Sequence, residues 1–329
     1  MNRRDLIVGA TALAACGPAE SQAPTPAPFP MRRGVNLGNA LEAPNEGDWG
    51  YRIEDDHLTA IAEAGFDGIR LPVRWDQHLD RAGRIAPLFL ARVREVVAWA
   101  LERDLMVQLD VHHFDALIAN PARERGRFLA LWGQIGEAFA DAPPSLFFEP
   151  LNEPNGPQWD GARLTDLQAE TVDLIRESNP TRLIVLGPGN WQNIDALRAW
   201  RPPAGDNIAV SVHYYEPHAF THQNAEWLGA NAPTFDRFWG GFDDRSAIHN
   251  HLDAARRWGI RNGYPMQLGE FGVIGNAPAD QRAIWLHFTR SRCEEFGFGW
   301  CVWDFAGAFA IWDRDSGRFH PDALEALFD

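Results

Sequence analysis

The chain has 329 residues, of which 45% are hydrophobic, and this is enough for one large core such as that of a single α/β barrel of roughly 250 residues. The formal net charge of −15 argues against a nucleic-acid partner, because phosphate binding depends on clustered basic side chains. All 30 basic residues are arginine, which excludes a lysine Schiff base and the lysine of a phosphate-binding P-loop.

The N-terminal segment is predicted to be an export signal rather than part of the fold. The pair Arg3-Arg4 precedes an apolar run over residues 6–15, which is too short to span a bilayer and is typical of a signal-peptide core. The run ends in LAAC, which resembles a bacterial lipobox closing on Cys16, whereas cleavage after Ala23 would leave this cysteine without a role. We therefore expect an exported protein held in the cell envelope by a lipid on Cys16. The arginine pair resembles a weak twin-arginine signal, so that route and the general secretory route both stay open.

The predicted organisation has three parts. A signal peptide occupies residues 1–15, and a linker follows in residues 16–30, where alternating Pro and Ala cannot form a packed core. The remaining residues, 31–329, are predicted to form one folded domain, because no further linker-like stretch interrupts them.

Short apolar or β-branched runs alternate with amphipathic helical stretches along this domain, the pattern of a parallel sheet covered by helices. Strands are predicted, in chain order, from RGVNLGN, GFDGIRLPV, LMVQLDVHH, LFFEPLN, RLIVLGP, NIAVSVHYY, PMQLGEF and FGWCVWDF. Helices are predicted near residues 54–64, 88–103, 124–140, 164–178, 192–200, 245–258, 279–296 and 321–328. Eight strand and helix pairs favour a single (β/α)8 TIM barrel, although a doubly wound open sheet alternates in the same way.

Polar residues at the C-terminal ends of the predicted strands favour the barrel. In a barrel these ends converge on one mouth, whereas in an open sheet they are strung along an edge. The first strand runs into a loop without a Gly-rich dinucleotide fingerprint, so no nucleotide cofactor is expected. The residues at the strand ends are Asn39, Arg70, His112, Asn152, Glu153, His213, Tyr215, Glu270 and Trp303.

Two of these residues are glutamates at the ends of different strands, Glu153 in LNEP and Glu270 in LGEFG. Glycosidic cleavage needs two such carboxyl groups, one that protonates the leaving oxygen and one that attacks the anomeric carbon or activates water. A single glutamate at a strand end more often forms a salt bridge or caps a loop. The occurrence of both at one barrel mouth favours glycoside hydrolysis.

The chain resembles glycoside hydrolase family five, the cellulase and mannanase family, and within it a bacterial endoglucanase and mannanase subgroup. The resemblance runs from Arg33 to Phe328 and is carried by RGVNLGNALEAPNEGDWG, RLPVRW, HH, FEPLNEP, HYYEPHAFTHQ, GEFG and VWDF. It implies a retaining mechanism with Glu153 as acid/base and Glu270 as nucleophile. Support is implied from Arg70, His112, Asn152, His213 and Tyr215, and sugar contacts from Asn39, Glu42, His113, His222, Trp227 and Trp303.

The implied mechanism sets the protonation states of the two carboxyl groups. Glu270 must be ionised, and we expect Arg70 to lower its pKa while Tyr215 donates a hydrogen bond to it. Glu153 must start protonated, so its pKa should be raised by burial and by the charge of Glu270. Retention further implies that the two carboxyl groups lie ~5 to 5.5 Å apart.

The expected substrate is a β-1,4-linked glucan, with β-1,4-mannan and dual activity as open alternatives. We expect a monomer that uses no cofactor. No metal site is expected, since His112 and His113 are adjacent on a strand and point to opposite sides. A transglycosylase acting through the same covalent intermediate stays open. The alternative of another class is a lipid-anchored, non-catalytic sugar-binding protein, which would be expected to lack one of the two carboxylates.

Six further residues carry structural expectations. Glu149 should lie on the same side of its strand as Glu153 and be held by a buried donor such as Arg70. Pro150 cannot join a strand ladder, so we expect a bulge there. Cys293 and Cys301 are predicted to be buried and reduced. Asn224 and Asp304 stand where the resemblance leads us to expect Gly and Glu, and the first substitution could reshape a loop over the cleft.

The tryptophans divide by the predicted element that carries them. Those in helical stretches are expected to pack against the barrel, and those in loops after strands are candidates for substrate contact. The first set is Trp99, Trp132, Trp258 and Trp285, and the second is Trp49, Trp191, Trp227, Trp239 and Trp312.

Overall fold

The structure is a computed structural model that describes residues 26–159 and 161–329. The predicted signal peptide, Cys16 and residues 16–25 of the predicted linker lie outside the described residues. Within these two ranges, none of the helices combines the length and the apolar character needed to cross a bilayer.

Eight strands of the described chain form a closed parallel barrel in sequence order, which confirms the predicted TIM barrel. Each predicted strand sequence contributes one strand, and β1 and β8 pair to close the barrel. A short antiparallel pair, β9 and β10, follows and was not predicted. The strands are β1 (Arg33–Asn36), β2 (Gly68–Leu71), β3 (Met106–Asp110), β4 (Leu146–Glu149), β5 (Ile184–Leu186), β6 (Ile208–Tyr214), β7 (Met266–Phe271), β8 (Gly299–Val302), β9 (Trp312–Asp313) and β10 (Arg318–Phe319).

Helices surround the barrel and correspond to those predicted, with four short additions at residues 75–78, 115–119, 218–221 and 226–231. The α-helices are α1 (Asp55–Glu63), α2 (Pro87–Leu101), α3 (Asp115–Ala119), α4 (Pro121–Ala138), α5 (Gly161–Ser178), α6 (Gly189–Gln192), α7 (His218–Thr221), α8 (Phe242–Asn262), α9 (Ala279–Phe296) and α10 (Pro321–Phe328). Single 3₁₀ turns lie at Trp75–His78, Ile194–Arg198 and Glu226–Asn231. The strands are buried on both faces, which explains why their sequences are almost continuously apolar.

The N-terminal end of the barrel is closed by the segment that precedes β1. Phe29 and Met31 are fully buried and pack with Phe147 and Cys301, so Phe29 belongs to the packed domain although it falls within the predicted linker. Phe29 meets Phe147 edge to face, with 5.6 Å between the ring centroids. Gly68 leaves the room that Met31 needs, because a side chain there would collide with the Met31 sulfur. We call Phe29 and Met31 the basal plug.

The bulge predicted at Pro150 is absent. Strand β4 ends at Glu149 and its pairing with β3 is regular, so Pro150 follows the strand where no ladder bond is required. Its carbonyl accepts a hydrogen bond from Trp132 Nε1 at 2.9 Å. The register shifts instead lie on either side of β7, and the one after Val212 places His213 opposite Glu270.

Both cysteines of the barrel domain, Cys293 and Cys301, are buried and free, as predicted. The helical tryptophans pack as expected, with Trp132, Trp258 and Trp285 buried in the main core and Trp99 packed against it. Two of the loop tryptophans also pack inward. Trp239 is fully buried and stacks on Phe220, and Trp312 opens β9 and stacks on Phe305. Both are therefore structural rather than exposed to the cleft.

Candidate active site

A cleft of about 940 Å³ opens at the C-terminal ends of the barrel strands. Its walls bring together most of the residues predicted for the site. These are Asn39, Glu42, His112, His113, Glu153, His213, Tyr215, His222, Trp227, Glu270 and Trp303. The two remaining predicted residues, Arg70 and Asn152, are buried beneath the cleft.

Arg70 organises the floor of the cleft from β2. Its guanidinium is fully buried and contacts three carboxylates, Glu149 at 2.6 Å, Glu270 at 2.7 Å and Asp110 at 2.9 Å. It also donates to Asn152 Oδ1 at 2.8 Å. Burial by itself lowers the pKa of Arg70, but the three carboxylates outweigh it, so the pKa is raised and the side chain stays charged.

Glu149 is the structural carboxylate that was predicted. It is fully buried, and the Arg70 guanidinium donates to both of its oxygens, at 2.6 and 3.1 Å. Gln108 Nε2 donates a further hydrogen bond at 2.7 Å. Burial alone would raise the pKa of Glu149, but the contacts with Arg70 outweigh it and lower the pKa. This carboxylate is thus a fixed negative charge beneath the site.

Asp110, at the end of β3, is a site residue that the sequence analysis missed. Its Oδ2 lies 2.9 Å from His112 Nδ1 and 2.9 Å from the Arg70 guanidinium. Its Oδ1 accepts the backbone N–H of Val73 at 3.0 Å. Strand alternation places residues 110 and 112 on the same side, and this could have identified it. Asp110 thereby fixes the ring orientation of His112.

Glu270, at the end of β7, receives hydrogen bonds on both oxygens. Arg70 donates to Oε1 at 2.7 Å, and the Tyr215 hydroxyl donates to Oε2 at 2.9 Å. Arg70 and the Tyr215 hydrogen bond both lower the pKa of Glu270, as expected, but burial outweighs them. Burial raises the pKa of Glu270 to about 6, and the charges of His213 and Arg70 together with the Tyr215 hydrogen bond only limit the rise. The carboxyl group is still ionised above that pH.

Glu153 follows β4 and faces Glu270 across the cleft floor. Its Oε1 shares a hydrogen bond of 2.7 Å with His213 Nδ1. Burial raises its pKa to about 7, the charge of Arg70 opposes the rise, and the charge of Glu149 adds to it. The predicted direction is confirmed, although the neighbouring charge that contributes is that of Glu149 rather than Glu270. Below pH 7 this side chain can serve as an acid.

The two glutamates and His213 approach one another closely. One oxygen of Glu153, one oxygen of Glu270 and one ring nitrogen of His213 all lie within 4.8 Å of each other, a spacing that a metal ion could also bridge. His213 Nδ1 bonds Glu153, Arg70 and Tyr215 bond Glu270, and His213 Nε2 is buried without a hydrogen-bond partner among the described residues. The group can therefore act as two carboxyl groups held at short range.

Asn39 and Glu42, predicted as sugar contacts, are bonded within the cleft wall. Glu42 accepts the backbone N–H groups of Asn39 and Ala40, and Asn39 donates its side-chain amide to Asp304. Burial raises the pKa of Glu42 to about 8. Asp304 is fully buried and also accepts the Gly307 N–H at 3.1 Å. These bonds fix the loop after β1 against the loop after β8.

Aromatic side chains supply the surfaces of the cleft. Trp303 stacks on His112, with 5.5 Å between ring centroids and 7° between ring planes. Trp49, Trp191 and Trp227 line the cleft with their side chains 44%, 54% and 57% exposed. Exposed indole rings are suited to stacking on the apolar faces of sugar rings.

The histidines on the remaining wall form a small packed group. His218 and His222 stack with 4.0 Å between ring centroids, and His222 also meets Tyr215 and Trp227 edge to face. Asn224, which follows, has a left-handed backbone with φ 55°. Asparagine tolerates this conformation better than most residues other than glycine, so Asn224 is compatible with the backbone of this loop.

Comparison with known proteins relates the chain to one family. The sequence model described as Cellulase (glycosyl hydrolase family 5) matches residues 31–308. Endoglucanase H of Acetivibrio thermocellus is 34% identical over 92% of this chain and 34% of its own length. The cellulase/esterase CelE of the same organism is 29% identical over 90% of this chain and 39% of its own length. The chain thus spans little more than a third of these two curated relatives.

Among solved structures, an endoglucanase superposes with a TM-score of 0.88 at 38% identity, covering 91% of this chain and 97% of its own. Cel5A of Thermotoga maritima in complex with cellobiose gives a TM-score of 0.88 at 37% identity, with coverage of 91% and 97%. The same enzyme in complex with mannotriose gives the same values. The similarity therefore covers the whole barrel.

Proposed function

The chain belongs to the cellulase family, glycosyl hydrolase family 5, and from this we propose that it is a retaining endo-β-1,4-glucanase. The observation that carries the proposal is that one carboxyl oxygen of Glu153 and one of Glu270 lie within 4.8 Å of each other at the floor of an open cleft. Retaining enzymes hold their two carboxyl groups ~5 to 5.5 Å apart, whereas inverting enzymes leave ~6.5 to 9.5 Å for a water molecule. The spacing supports direct attack by a carboxylate.

In the first step, Glu270 attacks the anomeric carbon while Glu153 gives its proton to the departing glycosidic oxygen. The bond to the leaving sugar breaks, and an ester forms between the remaining glycosyl unit and Glu270. The pKa of Glu270, about 6, lies below that of Glu153, about 7, so the required pair of an anion and an acid exists between these values.

In the second step, Glu153, now ionised, takes a proton from water as the water oxygen attacks the anomeric carbon. The ester bond breaks, Glu270 leaves as a carboxylate, and Glu153 is protonated again. Each step inverts the configuration at the anomeric carbon, so the two steps together retain it. Arg70 and Tyr215 hold the Glu270 oxygens throughout, so the carboxylate needs little reorganisation as its charge is lost and regained.

Action on internal bonds of a glucan is supported by the open cleft and by its exposed tryptophans, Trp49, Trp191 and Trp227, which would stack on successive sugar rings. The names of the curated relatives, which are endoglucanases, favour the same substrate class. A second candidate substrate is β-1,4-mannan, because a structural relative at 37% identity was solved with mannotriose.

A panel of polysaccharides tests the substrate proposal. We expect the enzyme to release reducing ends from carboxymethylcellulose and mixed-linkage glucan, and to lower the viscosity of carboxymethylcellulose early in the reaction because internal bonds are cut. Glucomannan and pure β-1,4-mannan distinguish a dual enzyme from a glucanase. Release of reducing ends from pure mannan alone would replace the glucanase proposal with a mannanase.

We also propose that the protein is exported and anchored through a lipid on Cys16, which the LAAC sequence supports. The full chain should partition with membranes when expressed in a bacterial host and should incorporate labelled palmitate. Cys16→Ser should remove the label and release the protein from the membrane fraction, whereas Ser21→Ala, in the same segment, should change neither. A labelled, membrane-bound Cys16→Ser variant would exclude this anchor.

A further inference from the structure

The backbone at Glu153 has a conformation that needs support. Its φ is 45°, in the left-handed region that residues other than glycine seldom adopt. Such a conformation persists where the surroundings hold it, and it decides where the side chain points. The group that holds the backbone N–H of Glu153 is the side chain of Gln192, whose Oε1 accepts it at 2.8 Å.

Gln192 is itself fixed at its other end. The side chain is fully buried, and its Nε2 donates to Glu149 Oε1 at 3.2 Å. Glu149 is held in turn by Arg70, which also binds Glu270. One amide group therefore connects the backbone of the acid/base residue to the same fixed set of charges that holds the nucleophile.

The backbone conformation of α6 positions the side-chain amide of Gln192. Asn190, Trp191 and Gln192 all have left-handed backbones, with φ of 55°, 57° and 53°. The N–H of Trp191 donates to the carbonyl of Pro154 at 3.3 Å, so α6 contacts the segment after Glu153 at a second point. The conformation places the Gln192 side chain beneath Glu153 while Trp191 lines the cleft.

Gly187, at the end of β5, leaves the space that the Gln192 side chain occupies. A methyl group on Gly187 would lie 2.4 Å from Cγ and from Nε2 of Gln192, too close for either atom to stay in place. Alanine at position 187 would therefore displace the amide without removing it.

We infer that Gln192 is a positioning residue that holds Glu153 in line for proton transfer to the leaving group. Only a side chain with an acceptor and a donor at its tip can bond the Glu153 N–H and the Glu149 carboxylate together. A carboxylate at this position would face Glu149 as a like charge, and an apolar side chain would leave a buried N–H without a partner. The inference rests on the proposed hydrolytic function, since it assigns to Glu153 the acid role given above.

Leaving-group dependence separates a loss of acid positioning from a general loss of structure. A sugar leaving group needs the proton from Glu153, whereas 2,4-dinitrophenolate departs without one. The value of kcat/KM reports the first chemical step and not the later attack of water, so the comparison is free of the base role of Glu153. Cellotetraose and 2,4-dinitrophenyl β-cellobioside are suitable substrates.

For Gln192→Met we expect kcat/KM on cellotetraose to fall by roughly 10- to 100-fold, because displacement of a catalytic group by even 1 Å has effects of this size. On the dinitrophenyl substrate kcat/KM should change by less than about threefold, since little of the barrier there depends on general acid catalysis. Gly187→Ala should show the same selective loss. Gln168→Met removes another buried amide, one that bonds Gly187 O and Trp200 instead of Glu153, and should leave the ratio of the two values unchanged.

Proportional losses on both substrates, or no loss on either, in Gln192→Met and Gly187→Ala would overturn the inference. A changed ratio in Gln168→Met would also do so, since the ratio would then report general loosening. If Gln192→Met does not fold, Gly187→Ala decides the question. A wild-type protein that cleaves neither substrate would instead refute the proposed function, so the two failures can be told apart.

Discussion

Glu270→Ala is expected to reduce kcat on soluble cellulose by at least roughly 10⁴-fold, the scale seen when the nucleophile of an enzyme is removed. Neither Glu153 nor Glu149 can take its place, because their carboxylates are held by His213 and Arg70. The covalent intermediate cannot form without Glu270. Reducing-end release from carboxymethylcellulose measures the effect.

A chemical rescue makes this prediction specific. Azide should enter the space left in Glu270→Ala and attack dinitrophenyl β-cellobioside from the nucleophile's side, giving an α-glycosyl azide that NMR identifies. Glu177→Ala, on the exposed side of α5, is the matched control and should keep full activity. Hydrolysis at the wild-type rate in Glu270→Ala, or a β-glycosyl azide, would contradict the assignment.

The same residue sets the acid limb of the pH profile. The pKa of Glu270 is raised to about 6 by burial, and only the ionised form can attack. The wild-type kcat/KM should therefore decline as the pH falls through about 6. An activity that keeps rising well below this pH would show that Glu270 is not the group that must be ionised.

Glu153→Gln is expected to affect formation of the covalent intermediate only for leaving groups that need a proton, and to slow its hydrolysis for every substrate. The amide cannot donate a proton to a sugar leaving group, so kcat/KM on cellotetraose should fall by roughly 10²- to 10⁴-fold. On dinitrophenyl β-cellobioside kcat/KM should be nearly retained, because this leaving group needs no proton. The covalent intermediate should then accumulate, since the base for its hydrolysis is missing, and mass spectrometry of the intact protein would detect it.

The basic limb of the pH profile belongs to Glu153. Burial raises its pKa to about 7, so the carboxyl group loses its proton as the pH rises through that value. The wild-type kcat/KM on cellotetraose should decline there, and the residual activity of Glu153→Gln on the same substrate should lack this limb. A basic limb that persists in Glu153→Gln would assign it to another group. An equal decrease of kcat/KM on cellotetraose and on the dinitrophenyl substrate in Glu153→Gln would argue against the acid role.

The barrel could be predicted from the sequence because strands buried on both faces leave apolar runs that are easy to recognise. The strand-end residues could be predicted because barrel topology brings those ends to one mouth. The error at Pro150 has a local cause. The apolar run continues past Glu149, but the strand itself stops there, so the proline needed no bulge.

Other features of the site depended on quantities that a sequence does not carry. The net shift of the Glu270 pKa is the difference between burial and the attractions of His213 and Arg70, and burial is the larger. Gln192 gives no signal, because its role depends on the left-handed backbone of α6 rather than on a spacing. Trp239 follows a predicted strand as Trp227 does, but packing on Phe220 turns it inward.

The basal plug has a consequence for how the enzyme would meet its polymer. Phe29 and Met31 fix the chain's entry at the barrel end opposite the cleft. With the proposed lipid on Cys16, the domain would be tethered from the end opposite the catalytic mouth, and residues 16–28 would limit its distance from the bilayer to at most roughly 45 Å. Such a tether would restrict cutting to glucan strands close to the cell surface, so that the oligosaccharides are released there.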